Sequence, residues 1–432
     1  MLSIRQSPWK LLTRYSGWLG AVIALGNGVG PFLGGAVVQT GSWRWVFWMI
    51  PIMTIPTAAI LLVFLPLKHN SSDPMEKMRK IDYGGIILSI AMTLLLLIPL
   101  SGGGVSYAWS SPFFLGTTIA GVVLTALFFI YEWKVASLPI MPIHLYTAPH
   151  CWALYLQSFL TGLAYFGNLF YLPIYFQSIL RYSPLVAGAL ILPIIMATSF
   201  GSIACGMYMA RVGSYMHCIL AGFTLWTLGN GLTLLFHRHT GLGLLIVILI
   251  VEGAGIGLTL QPLLVGMYAN SRTEDRAVIT GLRNFIRTIG GAFGLVVSGV
   301  ILSNTLRDIL GQASFVSNRL LTELTSSTYS LDTLDLSQDE RNMILDAYML
   351  GLRYIFVFYT VCSAVSLFLT FWVGNTSLKA STEVNDEETG SRDEIADRVS
   401  LQRVLSTDCA NVTGEDASEK VSDDKKGSIQ QG

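Results

Sequence analysis

The chain has 432 residues, of which 52% are hydrophobic and only 12% are charged, and its mean hydropathy is +0.57. A soluble chain carries about 25% charged residues, so this composition excludes a chain that is disordered as a whole and argues against a soluble enzyme. The formal net charge of zero has two parts: residues 375–432 hold 7 Lys+Arg and 13 Asp+Glu, and residues 1–374 hold the remaining 20 and 14. An apolar, basic body therefore precedes an acidic tail.

Ten apolar stretches are long enough, or nearly so, to cross a hydrocarbon core of about 30 Å, which takes about 20 helical residues. Because backbone polar groups in lipid must be paired within one element, we predict an all-α integral membrane protein with about ten transmembrane helices. Polar alternation with a period of two residues, the pattern of a membrane β-barrel, is absent. Buried helices of a large soluble protein would need polar faces, and the run 86–100 has no charged side chain. The predicted spans are 17–39, 43–67, 83–101, 112–131, 152–178, 184–209, 216–236, 241–268, 280–302 and 352–373.

The distribution of Lys and Arg among the connections predicts the orientation of the spans. The loop 68–82 holds four of these residues and the turn 269–280 holds two, whereas the connection 102–111 has no charged residue. Because Lys and Arg concentrate in cytoplasmic loops, we predict that the basic connections and both termini are cytoplasmic. The long connection 303–351 is then an outer loop.

Two segments outside the spans have features of their own. Ser337 and Glu340 have the spacing of a capping box, which predicts a short amphipathic helix that leads into the last span. The segment 374–432 is acidic and rich in Ser and Thr, so we predict a disordered cytoplasmic tail. A regulatory tail and a solvated tail without a fixed role both remain open.

The first predicted span carries a row of small residues. Glycines at these spacings leave one face of a helix nearly bare, so that a neighbouring backbone can approach closely. A proline within the row removes a hydrogen-bond donor and bends the helix. Two interpretations of the row remain. It forms a helix face that moves against a partner helix as a gate opens and closes, or it forms an ordinary packing face. Its members are Gly17, Gly26, Gly30, Pro31, Gly34 and Gly35.

The sequence around this row resembles a known family. The runs GWLGAVIALGNGVGPFLGGAV (17–37) and SWRWVFWMIPI (42–52) are similar to the antiporter signature and the next helix of the major facilitator superfamily. The sequence most resembles the fourteen-span drug:proton antiporters of fungi, and the resemblance covers roughly residues 15–375. Further matching runs are 131–134, 138–142, 255–262, 276–277 and 283–291.

The resemblance implies which helices of that architecture are present. The ten spans would be helices five to fourteen, so the family's first four helices, with their basic loop, helix-four arginine motif and helix-one acidic position, are expected to be missing from this sequence. Alternating access requires two bundles, so a transporter with further helices upstream and a fragment that does not transport alone both remain open. The implied segments are a cytoplasmic N-terminal segment (1–16), the last two helices of the N-terminal bundle (17–67), a cytoplasmic basic loop (68–82), two linker helices (83–131), the six-helix C-terminal bundle (152–373) and the tail (374–432).

Apart from residues near their ends, the predicted spans hold two carboxylates. Glu132 lies at the cytoplasmic end of the fourth span and is expected to anchor it. Glu252 lies near the middle of the eighth span, where a charged carboxylate costs at least about 2.5–3.5 kcal/mol. We therefore predict that Glu252 faces a cavity or stays protonated, and it is our candidate for proton coupling. A protonated glutamate that only hydrogen-bonds to a neighbouring helix is the alternative.

Polar residues recur at helical spacing along the fifth span. They form a stripe on a helix that is otherwise apolar, and by resemblance this is the first helix of the second bundle, which lines the cavity in that family. We predict that the stripe lines a substrate cavity, with helix packing as the alternative. The candidates are Gln157, Thr161, Tyr165 and Asn168, joined by Gln261 beside Pro262 in the eighth span.

Three arginines are candidates for a role in gating or structure. Arg283 and Arg287 share one face of the ninth span. Arg283 is near enough to its end for its side chain to reach the interface, whereas Arg287 is deeper and is expected to pair with a carboxylate or a helix C-terminus. Arg44 lies between Trp43 and Trp45 at the start of the second span, where the tryptophans fit an interfacial belt and Arg44 is expected to order that end.

The sequence predicts a secondary transporter rather than an enzyme. It has no nucleotide-binding Gly-x-x-x-x-Gly-Lys-Ser/Thr loop and no convincing metal cluster, since His237 and His239 are only two residues apart in a turn. We predict no cofactor, no metal and no nucleic-acid partner. The expected activity is multidrug-type efflux of small apolar or amphipathic organic molecules in exchange for protons, across the plasma membrane in preference to the vacuolar membrane. The alternative is a truncated membrane fragment or an interaction partner of other transporters.

Overall fold

A computed structural model describes residues 8–64, 81–104, 106–136, 151–272, 275–311 and 337–374, with a few residues of the connections between them. In this part of the chain the regular elements are helices, as predicted. We number the α-helices in chain order: α1 Pro8–Thr40, α2 Arg44–Phe64, α3 Tyr83–Gly102, α4 Pro112–Lys134, α5 Cys151–Ile174, α6 Pro184–Leu190, α7 Leu192–Val212, α8 Met216–Leu232, α9 Leu242–Ala269, α10 Arg276–Leu310 and α11 Gln338–Leu369.

Most of the helices have the length and composition of membrane spans. Among the described residues, nine helical stretches are long and apolar enough to cross a bilayer, with α6 and α7 forming one stretch, Pro184–Val212. α1 has 33 residues and contains a shorter apolar stretch, Val29–Gln39. Each of the ten predicted spans therefore coincides with a helix. The segments 312–336 and 375–432 lie outside the described residues, and the predicted disordered tail is among them.

Side-chain caps define several helix starts. Ser337 accepts a hydrogen bond from the backbone N–H of Glu340 at 3.3 Å, and the Glu340 carboxylate accepts one from the backbone N–H of Ser337 at 2.8 Å. This is the predicted capping box. The helix that it opens continues without a break into the last predicted span. The sequence predicts that 303–351 is an outer loop. In the structure, both ends of this stretch are helical, because α10 continues to Leu310 and α11 begins at Gln338.

Six helical segments, α5 and the α6–α7 pair through α11, pack around a common core. Close crossings depend on glycine, because a missing side chain lets two backbones approach. A Cβ on Gly253 of α9 would collide with the backbone of Ile194 in α7, and one on Gly290 of α10 would collide with the backbone of Phe159 in α5. These crossings hold α7 against α9 and α5 against α10, which fixes the centre of the bundle.

The remaining helices lie on the periphery of this bundle. α1 packs along α6 and α7, whereas α2 touches α1 and has no buried residue. α3 and α4 form a hairpin that packs against α10. The hairpin is held by Asn304 Nδ2 donating to the Gly103 carbonyl at 3.1 Å and by Arg307 donating to the Gly104 carbonyl at 2.7 Å. Most of the buried polar side chains of the described residues therefore lie in the six-segment bundle.

Candidate functional site

A hydrogen-bonded network of buried polar side chains lies at the centre of the bundle. Glu252 of α9 is fully buried, and its Oε1 accepts a hydrogen bond from Asn168 Nδ2 of α5 at 2.5 Å. The same amide nitrogen donates to Asn230 Oδ1 of α8 at 2.8 Å. The preceding Gly229 brings the α8 backbone against Glu252, since a Cβ there would lie 2.6 Å from the Glu252 Cα. Three helices therefore meet at one carboxylate.

The network continues to two further helices. Asn230 Nδ2 donates to Ser363 Oγ at 3.2 Å and to the Tyr359 carbonyl at 3.4 Å, both on α11. The Tyr359 hydroxyl lies 2.7 Å from Ser298 Oγ on α10. Hydrogen bonds thus join the polar groups of α5, α8, α9 and α11, and the side chain of Tyr359 connects this network to α10.

The surroundings of Glu252 favour its neutral form. Within the described residues, no cationic side chain lies at ion-pair distance from it, and its Oε2 is buried without a hydrogen-bond partner. A buried carboxylate that carries a charge without a counter-charge is strongly disfavoured. A protonated glutamate fits this arrangement, and entry of water or a cation would be needed to stabilise the charged form.

A small cavity lies beside this network. It has a volume of about 20 Å³ and is lined by Tyr165 and Asn168 of α5, Thr198 of α7, and neighbouring apolar residues. A cavity needs about 10–15 Å³ to hold one water molecule. A water molecule therefore has room next to Asn168, one hydrogen bond away from Glu252.

A larger polar cavity of about 160 Å³ lies between α1, α5, α7, α9 and α10. Its walls combine two arginines with amide and hydroxyl groups, and no acidic side chain is among the described residues that line it. Tyr165 and Thr198 line both this cavity and the smaller one beside Asn168. The lining residues are Gly20, Ile23, Tyr165, Thr198, Ser202, Gly257, Leu260, Gln261, Arg283, Asn284 and Arg287.

The two arginines of this cavity are held by different contacts. Arg283 is 5% exposed and donates to the Leu260 carbonyl of α9, with a longer contact of 3.4 Å to Asn284 Oδ1. The Arg287 guanidinium lies 5.9 Å from the ring centre of Tyr165 and 5.5 Å from that of Phe166.

The sequence predicted that Arg287 pairs with a carboxylate or a helix C-terminus, and the structure differs. No carboxylate among the described residues lies at ion-pair distance from Arg287 or Arg283. Arg287 instead lies at cation–π distance from two aromatic rings, because the α5 face opposite it carries Tyr165 and Phe166, where the prediction needs an acidic residue.

The polar stripe of α5 divides into two halves. Gln157 Nε2 donates to the Ser366 carbonyl at 2.8 Å and to Thr370 Oγ1 at 3.1 Å, so it joins α5 to the end of α11. Thr161 donates to a carbonyl of its own helix at 3.0 Å and is buried. Tyr165 and Asn168 line the cavities described above. The structure thus brings Tyr165, Gln261 and the two arginines together at one cavity, with Asn168 and Glu252 beside it, and leaves Gln157 and Thr161 in helix packing.

The glycine row of α1 meets the α6–α7 pair at its two ends. A Cβ on Gly17 would lie 2.9 Å from the Gly206 Cα, and one on Gly35 would lie 2.6 Å from the Pro184 carbonyl oxygen. Pro31 lies against Gly188 of α6, where an added Cβ would lie 2.9 Å from the Pro31 carbonyl oxygen. The intervening Gly26, Gly30 and Gly34 have nothing within 4 Å of an added Cβ.

The remaining candidates lie away from the cavities. The Arg44 guanidinium lies 5.1 Å from the ring centre of Trp43 at the exposed start of α2. Glu132 is 3% exposed, and its Oε2 accepts a hydrogen bond from the backbone N–H of Met141 at 3.0 Å, which ties the chain after α4 to that helix. Neither residue contacts the central network in the structure.

Four members of the network were not among the residues predicted from the sequence: Asn230, Ser298, Tyr359 and Ser363. A signal for Asn230 was available, because an asparagine within an apolar span is as unusual as a carboxylate there and normally has a buried partner. Ser298 and Ser363 gave no such signal, since serine hydroxyl groups in membrane helices commonly bond to their own backbone, as Ser363 also does. Tyr359 gave none either, as one of 17 tyrosines in the chain.

Comparison with known proteins adds the family and its members. Residues 5–295 match the family model described as Major Facilitator Superfamily. Citrate exporter 1 of Yarrowia lipolytica is 35% identical over 404 residues, which are 93% of this chain and 58% of that protein. MFS-type transporter clz4 of Cochliobolus lunatus is 32% identical and covers 87% of this chain and 67% of its own length. Efflux pump dotC of Dothistroma septosporum is 31% identical, and the match covers 88% of this chain and 66% of that protein.

These relatives are membrane transporters of fungi, and the chain spans 58% of the length of the citrate exporter and about two thirds of the other two. The matched region includes the glycine row, the α5 stripe and Glu252. With its all-helical fold and membrane-spanning helices, the chain belongs to the major facilitator superfamily, a family of multi-pass membrane transporters and not of enzymes.

Proposed function

We propose that the protein exports small organic molecules in exchange for protons, by alternating access. The observation that carries this proposal is Glu252, a fully buried carboxylate with no cation at ion-pair distance among the described residues and one oxygen without a partner. Such a group binds a proton when sealed from water and releases it when wetted. Of the relatives, one is named as an exporter and one as an efflux pump, which supports the direction of transport.

The network offers a route from proton binding to helix movement. Asn168 and Asn230 contact Glu252, directly or through one amide, from helices other than its own. When Glu252 loses its proton, the charged carboxylate attracts water and further donors, which favours an arrangement in which the site is open. Protonation restores the closed arrangement. The movement itself would occur along the α1 face, where Gly17 and Gly35 let α1 slide against α6 and α7.

The orientation and location of the protein are part of the proposal. The Lys and Arg residues of the loop 68–82 favour a cytoplasmic position for that loop and for both termini. We propose the plasma membrane as the location, because export across it removes a molecule from the cell. We also propose that 152–373 forms the second bundle of the transporter and that 83–131 is a linker hairpin.

The experiment uses the full chain in proteoliposomes. Vesicles with an acidic lumen in a neutral bath drive protons out, and a proton-exchanging transporter then accumulates a fluorescent amphipathic substrate inside. We expect accumulation that depends on the pH gradient and that a protonophore abolishes. Accumulation that is unchanged by the protonophore would reject proton exchange, and no accumulation of any tested organic molecule would reject transport by this chain.

A further inference from the structure

The cavity between α1, α5, α7, α9 and α10 is lined by positively charged side chains that take no part in the hydrogen-bonded network around Glu252. Its volume of about 160 Å³ is well above the ~10–15 Å³ that one water molecule needs. Two guanidinium groups, Arg283 and Arg287, line it from one face of α10. Glu252 lies on α9 but is not part of its lining.

The positive charge of this cavity is not neutralised by the described part of the chain. No described carboxylate lies at ion-pair distance from Arg283 or Arg287. The other polar groups of the wall are uncharged amides and hydroxyls, from Gln261, Asn284 and Ser202. Two cations without a counter-ion are costly inside a membrane protein. An anion in the cavity would remove that cost.

Arg287 is the better placed of the two to bind a ligand. Arg283 already donates to the Leu260 carbonyl and approaches Asn284 Oδ1. Arg287 is half-buried, and its guanidinium lies near the rings of Tyr165 and Phe166 at cation–π distance. The Arg287 Nε is buried without a hydrogen-bond partner among the described residues, and the edge of a guanidinium matches a carboxylate with two parallel hydrogen bonds.

We propose that this cavity binds the carboxylate group of a small organic anion, so that the exported substrates include organic acids. That the bound anion is an exported substrate rests on the proposed export function. Binding of the anion in the cavity does not depend on transport. Gly20 of α1 is part of the same wall, and a Cβ on it would lie 2.7 Å from Gln261 Cγ. A shift of α1 against α7 and α9 would therefore change the size of the site.

Binding is tested on the purified full chain in detergent. The probes are succinate, its neutral dimethyl ester and inorganic phosphate, each at equal concentration and ionic strength, and the readout is the midpoint of thermal unfolding. We expect succinate to raise the midpoint more than the ester or phosphate does. Arg287→Gln should weaken succinate binding by about tenfold or more, equivalent to ~1.4 kcal/mol, and Arg287→Lys should weaken it less. Arg211→Gln, at an exposed arginine outside the cavity, should bind as the wild type does.

The possible outcomes separate this proposal from the proposed function. Equal stabilisation by succinate and its ester, equal stabilisation by phosphate, no stabilisation at all, or wild-type binding by Arg287→Gln would each overturn the organic-acid site. If Arg287→Gln is not monodisperse in size-exclusion chromatography, Arg287→Lys decides, and unchanged binding by that variant overturns the bidentate contact. Succinate binding without gradient-driven transport would contradict the proposed function and leave the site standing.

Discussion

Glu252 is the residue on which the proton-coupling proposal depends. The sequence identified both Glu252 and Asn168 as candidates, but not the contact between them. A carboxylate in the middle of a long apolar run is rare and expensive, so it stands out without a structure. Asn168 is 84 residues before it and Asn230 is 62 residues after Asn168. Which polar groups meet across helices depends on how the helices pack, and the periodicity of a single helix contains no such information.

The hydrogen bond between Asn168 and Asn230 gives a prediction at the scale of residues. Asn168→Ala removes the donor of both Asn230 Oδ1 and Glu252 Oε1, and an unsatisfied buried polar group costs about 1–3 kcal/mol. The double variant Asn168→Ala/Asn230→Ala should cost less than the sum of the single variants. We expect a coupling free energy of about 0.6 kcal/mol and at most ~1.7 kcal/mol, as in other membrane proteins, measured by reversible unfolding in micelles.

The four proteins of this comparison form a double-mutant cycle, and its control is the same cycle with Gln157→Ala and Asn230→Ala. Gln157 bonds to α11 through Ser366 and Thr370 and has no contact with Asn230 in the structure. Distant substitutions add within about 0.5 kcal/mol. A coupling between Asn168 and Asn230 no larger than in this control would contradict the network.

At the scale of helices, the glycine row of α1 contains its own matched pair. Gly35 faces α6, where an added Cβ would lie 2.6 Å from the Pro184 carbonyl oxygen, while the adjacent Gly34 has nothing within 4 Å. Gly35→Ala should therefore destabilise the protein by about 1–3 kcal/mol, because backbones must separate. Gly34→Ala should be neutral or stabilise α1 by up to ~1 kcal/mol, because alanine is the better helix former.

Thermal unfolding of the two variants in the same detergent measures this difference. Equal effects of Gly34→Ala and Gly35→Ala would contradict the packing of α1 on α6. The sequence predicted a bare helix face but not that only its ends are covered. A row of glycines indicates that another backbone can approach the helix closely, but it does not indicate which backbone approaches.

The stripe of α5 shows the same limit for polar residues. Helical spacing correctly places Gln157, Thr161, Tyr165 and Asn168 along one helix, but their neighbours change along its length. Gln157 meets the end of α11, whereas Asn168 meets α8 and α9. A stripe can therefore line a cavity over one half and bind a neighbouring helix over the other.

At the scale of the whole molecule, apolar length alone was enough to predict the spans. The bilayer requires each helix to satisfy its own backbone, so local sequence determines the elements here more strictly than in a soluble protein. The side of the membrane on which each loop lies is determined by a different signal, the distribution of Lys and Arg. Cavities between helices follow from neither signal.

The proposed orientation predicts which connections can be reached from outside a cell. Ala108 is exposed in the uncharged connection after α3, and Ser71 belongs to the basic loop 68–82. A membrane-impermeant maleimide should label Ala108→Cys on intact cells and Ser71→Cys only after permeabilisation. Both variants are made in a Cys409→Ser background, since Cys409 lies in the predicted cytoplasmic tail. That background is the control, because the four described cysteines are buried. The opposite labelling pattern would invert the topology.

The proposed export in exchange for protons concerns the whole molecule, and a single substitution at Glu252 tests it most directly. The matched control is Glu132→Gln, since Glu132 is also a buried carboxylate but accepts a hydrogen bond from Met141, a role that a glutamine carbonyl retains. Both variants and the wild type are compared in proteoliposomes with an acidic lumen, at equal protein content and after equal elution in size-exclusion chromatography.

Two quantities are measured: the gradient-driven accumulation of substrate in the lumen, and the release of protons from the lumen. We predict that the wild type and Glu132→Gln show both fluxes, and that Glu252→Gln shows neither while still binding substrate, because glutamine keeps the shape of a protonated glutamate but cannot release a proton. Coupled fluxes in Glu252→Gln equal to those of the wild type would contradict Glu252 as the proton carrier.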